Sequence, residues 1–113
     1  MNTYYVYYEK MNQDSQDYIC TDTVEMKAAN LDSLRKRLAK DVLKRTNSRY
    51  MYTAIVMKDL REGSIGDVMP YSKDVAVWEP SDDKHRDEGA YYPISLATGK
   101  LGKKRSWFRW HPR

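Results

Sequence analysis

Cysteine is nearly absent: Cys20 stands alone among 113 residues, so no internal disulfide can form. Cys20, His85 and His111 together are too few for a structural zinc site, which takes about four ligands, and Cys20 reads as an ordinary strand residue. Glycine and proline are also scarce, at 5 and 4 residues, while 41% of the chain is hydrophobic and 32% charged. That balance argues against wholesale disorder. No apolar run approaches the roughly 20 residues that cross a bilayer. The Tyr-rich stretch Thr3–Tyr8 meets Glu9 and Lys10 at once, which is not the apolar core of a leader. The expectation is a soluble, cytoplasmic protein without a membrane partner.

Catalytic signatures are missing as well. At 113 residues the chain has room for one domain, not for two lobes around a cleft. There is no nucleophile elbow, no dinucleotide fingerprint and no pair of carboxylates placed for acid–base work. Gly99-Lys100-Leu101-Gly102-Lys103-Lys104 resembles a phosphate loop only superficially. Its spacing is wrong, no Ser or Thr follows the lysine, and Trp-rich sequence replaces the expected helix. Asp82, Asp83, His85, Asp87 and Glu88 could contact a divalent cation, but Lys84 and Arg86 offset their charge. The segment reads as a solvated loop, and no enzyme activity, metal or cofactor is expected.

What the chain does contain is tyrosine: 10 Tyr and 3 Trp against 1 Phe. A ring with a polar tip suits half-buried sheet faces. Thr3–Tyr8 is almost wholly aromatic or β-branched, and Tyr18–Lys27 resumes an extended pattern after the polar stretch Met11–Asp17, predicting an antiparallel hairpin. Leu31, Leu34, Leu38 and Val42 then recur at helical spacing over Leu31–Arg45. Asn30 is the expected N-cap and Asn47 the expected left-handed C-cap. Arg35 projects toward the apolar stripe and is expected to carry its head out to water. Arg49–Lys58 is apolar on both faces and predicts a central strand, Asp74–Glu79 a short strand ended by Pro80. Ala90–Leu96 predicts an edge strand, because Pro93 is poorly tolerated inside a sheet. The predicted fold is α+β: a mainly antiparallel sheet of four or five strands with one principal amphipathic helix, in the order β-β-α-β-β. Residues 1–98 form the domain and 99–113 a basic aromatic tail.

Charge is distributed unevenly. The net charge is +4, but residues 28–61 carry +6 and residues 99–113 another +6, whereas 1–27 carry −3 and 62–98 carry −5. Lys36, Arg37, Lys40 and Lys44 project to the helix side opposite the leucines. In the tail, Lys100, Lys103, Lys104, Arg105, Arg109 and Arg113 interleave with Trp107, Phe108 and Trp110. Cations meet phosphates and flat rings stack on unpaired bases, so the pattern suits single-stranded or irregular nucleic acid. The tail rings suit a last strand equally well, and the two uses can coexist. The leading expectation is a small non-catalytic nucleic-acid-binding protein. The alternative is a protein-interaction or regulatory module, dimerising through its tyrosine-rich sheet.

Overall fold

The computed structural model describes residues 1–15, 17–57, 75–80 and 88–108. Strands β1 (Asn2–Asn12) and β2 (Tyr18–Ala28) form the expected hairpin, in register from Asn2↔Ala28 to Met11↔Tyr18 with one slip between Tyr8 and Glu9. β1 runs further than its β-branched residues alone imply. Met11 and Asn12 stay in the strand because Met11 is buried and lies opposite Met51 of the next strand. The helix α1 spans Leu31–Arg45, as its apolar spacing predicts. The Asn30 side chain accepts from the Ser33 N–H at 2.9 Å, and Asp32 in the first turn complements the helix dipole.

The other end of the helix departs from expectation. Thr46, in extended backbone, is the C-cap, and its N–H donates to the Val42 carbonyl at 3.0 Å. Asn47 serves the turn that follows instead: its Oδ1 accepts from the N–H groups of Arg49 and Tyr50 at 2.9 and 3.0 Å. An Asn side chain competes well for neighbouring amides, and here it launches the next strand.

Strands β3 (Tyr50–Met57), β4 (Ala76–Pro80), β5 (Glu88–Pro93) and β6 (Arg105–Phe108) complete a six-stranded sheet in the order β2-β1-β3-β4-β5-β6. The fold is α+β with a mixed sheet. β3 and β4 run parallel, with Ala54 opposite Val77, and every other pairing is antiparallel. A parallel step needs a crossover of a dozen or more residues, and residues 58–75 are numerous enough for one. β5 is not an edge strand, because β6 lies beyond it. Pro93 is tolerated as the last residue of β5. The Ile94 N–H turns to the Val75 carbonyl on the β4 side, so the Pro93 nitrogen faces the other way, where β6 pairing has already ended at Tyr91. Gly89 is required by close approach, since a Cβ there would run into the Glu79 carbonyl.

Strand alternation separates two cores. On the helix side, Leu34, Leu38 and Val42 of α1 pack on Val6, Tyr8, Ala54, Val56 and Val77. Each of those three helix residues is fully buried, worth about 1.5–3 kcal/mol apiece relative to exposure. On the opposite side, Tyr7, Ile55, Met57, Ala76, Trp78 and Tyr91 form a second cluster. Glu9, 1% exposed, lies opposite Thr53 on that side.

Candidate nucleic-acid interface

The first core fixes which side of α1 faces outward. With the leucines committed to the sheet, Lys36, Arg37, Lys40 and Lys44 are all exposed. Two shallow grooves flank them. One, of about 360 Å³, lies between the helix and β2 and is lined by Met26, Arg37, Lys40, Asp41 and Lys44. The other, of about 410 Å³, lies between the helix and the turn after β5 and is lined by Lys36, Ala39, Lys40, Gly99, Lys100 and Leu101. Lys40 lines both, so the cations form one continuous band across the helix from Lys44 and Arg37, through Lys40, to Lys36 and Lys100.

The turn that brings Lys100 to the helix is held locally. The Gly99 N–H donates to the Ser95 carbonyl at 2.8 Å and the Ser95 N–H to the Lys100 carbonyl at 3.0 Å. Gly99 adopts a φ of 74°, and a Cβ there would stand 3.0 Å from the Leu43 side chain. Glycine therefore permits both the left-handed backbone and the close seat against α1. A bridge between Ile94 and Leu101 and the bond from the Gly102 N–H to the Pro93 carbonyl close the turn. Leu101 packs on the helix-side core.

The described cations differ in their partners. Arg35 is not free to reach water: it forks onto Glu79, Nε and one terminal nitrogen meeting the two carboxylate oxygens at 2.5 and 3.0 Å. Its guanidinium lies 4.5 Å from the Tyr92 ring centroid, and the bonds to Glu79 hold its pKa above the ordinary arginine value. Arg45 bridges Asp22 at 3.1 Å and Asp41 at 3.3 Å and sits over the Tyr8 ring at 3.8 Å. The Tyr8 hydroxyl donates to Asp41 at 2.5 Å. Burial, then the bond to Asp41, raise the Tyr8 pKa well above its usual range. Arg49 reaches Asp14 at 3.0 Å.

The band is different. Among the described residues, Lys40, Lys44 and Lys100 have no carboxylate within ion-pair distance, and Arg37 donates only to the Lys27 carbonyl at 2.9 Å. Lys36 meets Asp32 at 3.2 Å, but both side chains are more than two-thirds exposed, so the pair is weak and easily exchanged. Asp41 is the acid in the band's wall, and Arg45 and Tyr8 already occupy it.

The tail residues are only partly gathered with these. Lys103, Lys104 and Arg105 are exposed. Lys103 and Lys104 follow the turn that carries Lys100. Arg105 pairs in register with Tyr91, whose ring belongs to the second cluster, so Arg105 stands on the sheet face opposite α1. The backbones of Trp107 and Phe108 pair with Gly89 and Glu88. Their side chains, together with Arg109 and Trp110, lie outside the described residues, as do residues 82–87 and the Cys20 side chain. No described tyrosine ring is fully exposed: Tyr7, Tyr8 and Tyr91 are buried and Tyr4, Tyr5, Tyr50, Tyr52 and Tyr92 half-buried. Tyrosine content by itself overstates the stacking surface, because all of these rings except Tyr50 lie in or pack against the two cores. Sequence alone misses Lys100 as part of the helix patch, since only the turn's closure carries it there. The chain matches no known protein-family model, no curated protein and no solved structure.

Proposed function

We propose that this is a small, non-catalytic, cytoplasmic nucleic-acid-binding protein. The band of Lys36, Arg37, Lys40, Lys44 and Lys100 receives the phosphate backbone, Lys103 and Lys104 extend it past the turn, and Arg105 adds charge on the opposite sheet face. Trp107, Arg109 and Trp110 supply further ring and cation contacts. The observation that carries this reading is a gathering of charge: Lys40, Lys44 and Lys100, which meet no carboxylate among the described residues, line one band of surface together with the exposed Arg37 and Lys36. Desolvated pairs such as Arg35–Glu79 serve the fold, whereas solvated lysines can exchange counterions for phosphates.

The test is a gel-shift and anisotropy titration of the full chain against RNA and DNA at 50 and 200 mM salt. Binding is expected at the lower salt and should weaken steeply at the higher one. The double variant Lys40→Glu, Lys44→Glu should abolish most of it, and charge reversal at Lys103, Lys104 and Arg105 should weaken it further. Failure to retard any nucleic acid at low salt overturns the proposal. Protein contact through the tyrosine-rich sheet has less support, since all of the described rings except Tyr50 already lie in or pack against the two cores.

A further inference from the structure

The two flanks of the cationic band are not equivalent. The flank toward β2 has charge on nearly every side, with Arg37, Lys40, Asp41 and Lys44 around Met26. The flank toward the 95–102 turn has an apolar floor, Ala39 and Leu101 with the bare backbone of Gly99, and lysines only at its rim, Lys36, Lys40 and Lys100. A surface that reads phosphates alone needs no such floor. An apolar floor ringed by cations fits a ligand whose charged and flat parts alternate.

We propose that the groove between α1 and the 95–102 turn binds single-stranded nucleic acid in preference to duplex, holding phosphates on Lys36, Lys40 and Lys100 and a sugar or base against Ala39, Gly99 and Leu101. This rests on the nucleic-acid reading above and specifies its substrate. At about 410 Å³ the groove is at the small end of ligand clefts, ~300–1,000 Å³, which suits a nucleotide-sized unit. A duplex offers only its phosphates to a groove of this size, because its bases are stacked inside. A single strand can turn a base or sugar inward while its phosphates stay at the rim. Lys36 and Lys40 are one helical turn apart, ~6 Å along the axis at 1.5 Å per residue, and Lys100 closes the opposite wall. Gly99 lines the floor with backbone, and its missing side chain lets the turn seat against Leu43 of the helix. The turn is well braced by the bonds among Ser95, Gly99 and Lys100 and between Pro93 and Gly102, so the floor is formed before ligand arrives.

The experiment compares end-labelled 12-mers of dT and of U with a 12-base-pair duplex, by anisotropy on the full chain over a salt series. Single strands should bind at least about tenfold more tightly than the duplex. Three lysine contacts predict a log–log salt slope of about −2 or steeper on single strands, at ~0.7 per phosphate. Lys100→Glu should make that slope shallower by about 0.7 and remove most of the preference. Leu101→Ser, checked for folding by circular dichroism, should weaken single-strand binding several-fold and leave duplex binding unchanged. Equal or tighter binding of duplex overturns this inference and leaves the broader proposal standing. Single-strand preference untouched by Lys100→Glu and by Leu101→Ser also overturns it, by placing the site elsewhere. No binding to any probe overturns both readings.

Discussion

Two arginines of α1, Arg35 and Arg45, and two of its lysines, Lys40 and Lys44, carry the same charge and are used in opposite ways. Arg35 and Arg45, at the margins of the apolar stripe, lie against tyrosine rings and bond to carboxylates contributed by distant strands. Lys40 and Lys44, on the outward side, touch no carboxylate among the described residues and stand in water. The guanidinium is planar, less strongly hydrated and able to bond in a fork, so it survives partial burial where an ammonium does not. In one helix, then, positive charge fastens the helix to the sheet on one side and remains available to a polyanion on the other. Net charge alone hides that division.

Breaking the buried side should cost most. Glu79→Ala leaves Arg35 half-buried without its counter-charge, and a loss of about 3 kcal/mol is expected in urea unfolding. A loss under about 1 kcal/mol, the range of exposed pairs, would erase the distinction between the two sides. Tyr8→Phe removes the hydroxyl that bonds to Asp41, and should cost about 1.5 kcal/mol, typical of a hydrogen bond to a charged group.

The same substitution sharpens the comparison through pH. Burial, reinforced by Asp41, raises the Tyr8 pKa above its ordinary 10.0, so the folded chain keeps a proton that the unfolded chain has lost. Its contribution is intact below the ordinary value and erodes as pH rises above it, by up to about 1.4 kcal/mol per pH unit. Thermal melts between pH 9 and 11 should therefore fall more steeply for the parent chain than for Tyr8→Phe. Parallel curves would show that the Tyr8 proton is not linked to folding. The smallest effect belongs to the outward side: Lys40→Ala and Lys44→Ala should each change stability by no more than about 0.5 kcal/mol, while lowering nucleic-acid affinity. A larger destabilisation would mean that these lysines serve the fold after all.

Several of these features are legible in the residue pattern alone. The apolar repeat at Leu31, Leu34, Leu38 and Val42 and the Asn30 cap define a helix with an outward basic side, because both signals are local in the chain. The two-sided apolar pattern of Tyr50–Met57 places that strand inside the sheet. It does not say which strands flank it, and the parallel neighbour β4 is beyond the reach of pattern alone. Asn47 misleads for a related reason: an Asn after a helix suits a left-handed cap and an Asx turn equally, and the position of β3 selects between them. Tyr7, whose place in a tyrosine-rich strand suits an open contact face, is instead buried with Trp78 and Tyr91.

By itself the sequence determined the α+β class, the helix with its basic outer side, and the run of cations that begins at Lys100, because each follows from neighbours within a few turns or a few residues. Only the tertiary structure decided which cations are neutralised and which are gathered. Arg35 finds Glu79 across 44 residues of chain, and Lys100 joins Lys36 and Lys40 through a turn closed on the end of β5. Charge pairing acts over a few ångströms of space, whereas residue spacing reports only distance along the chain.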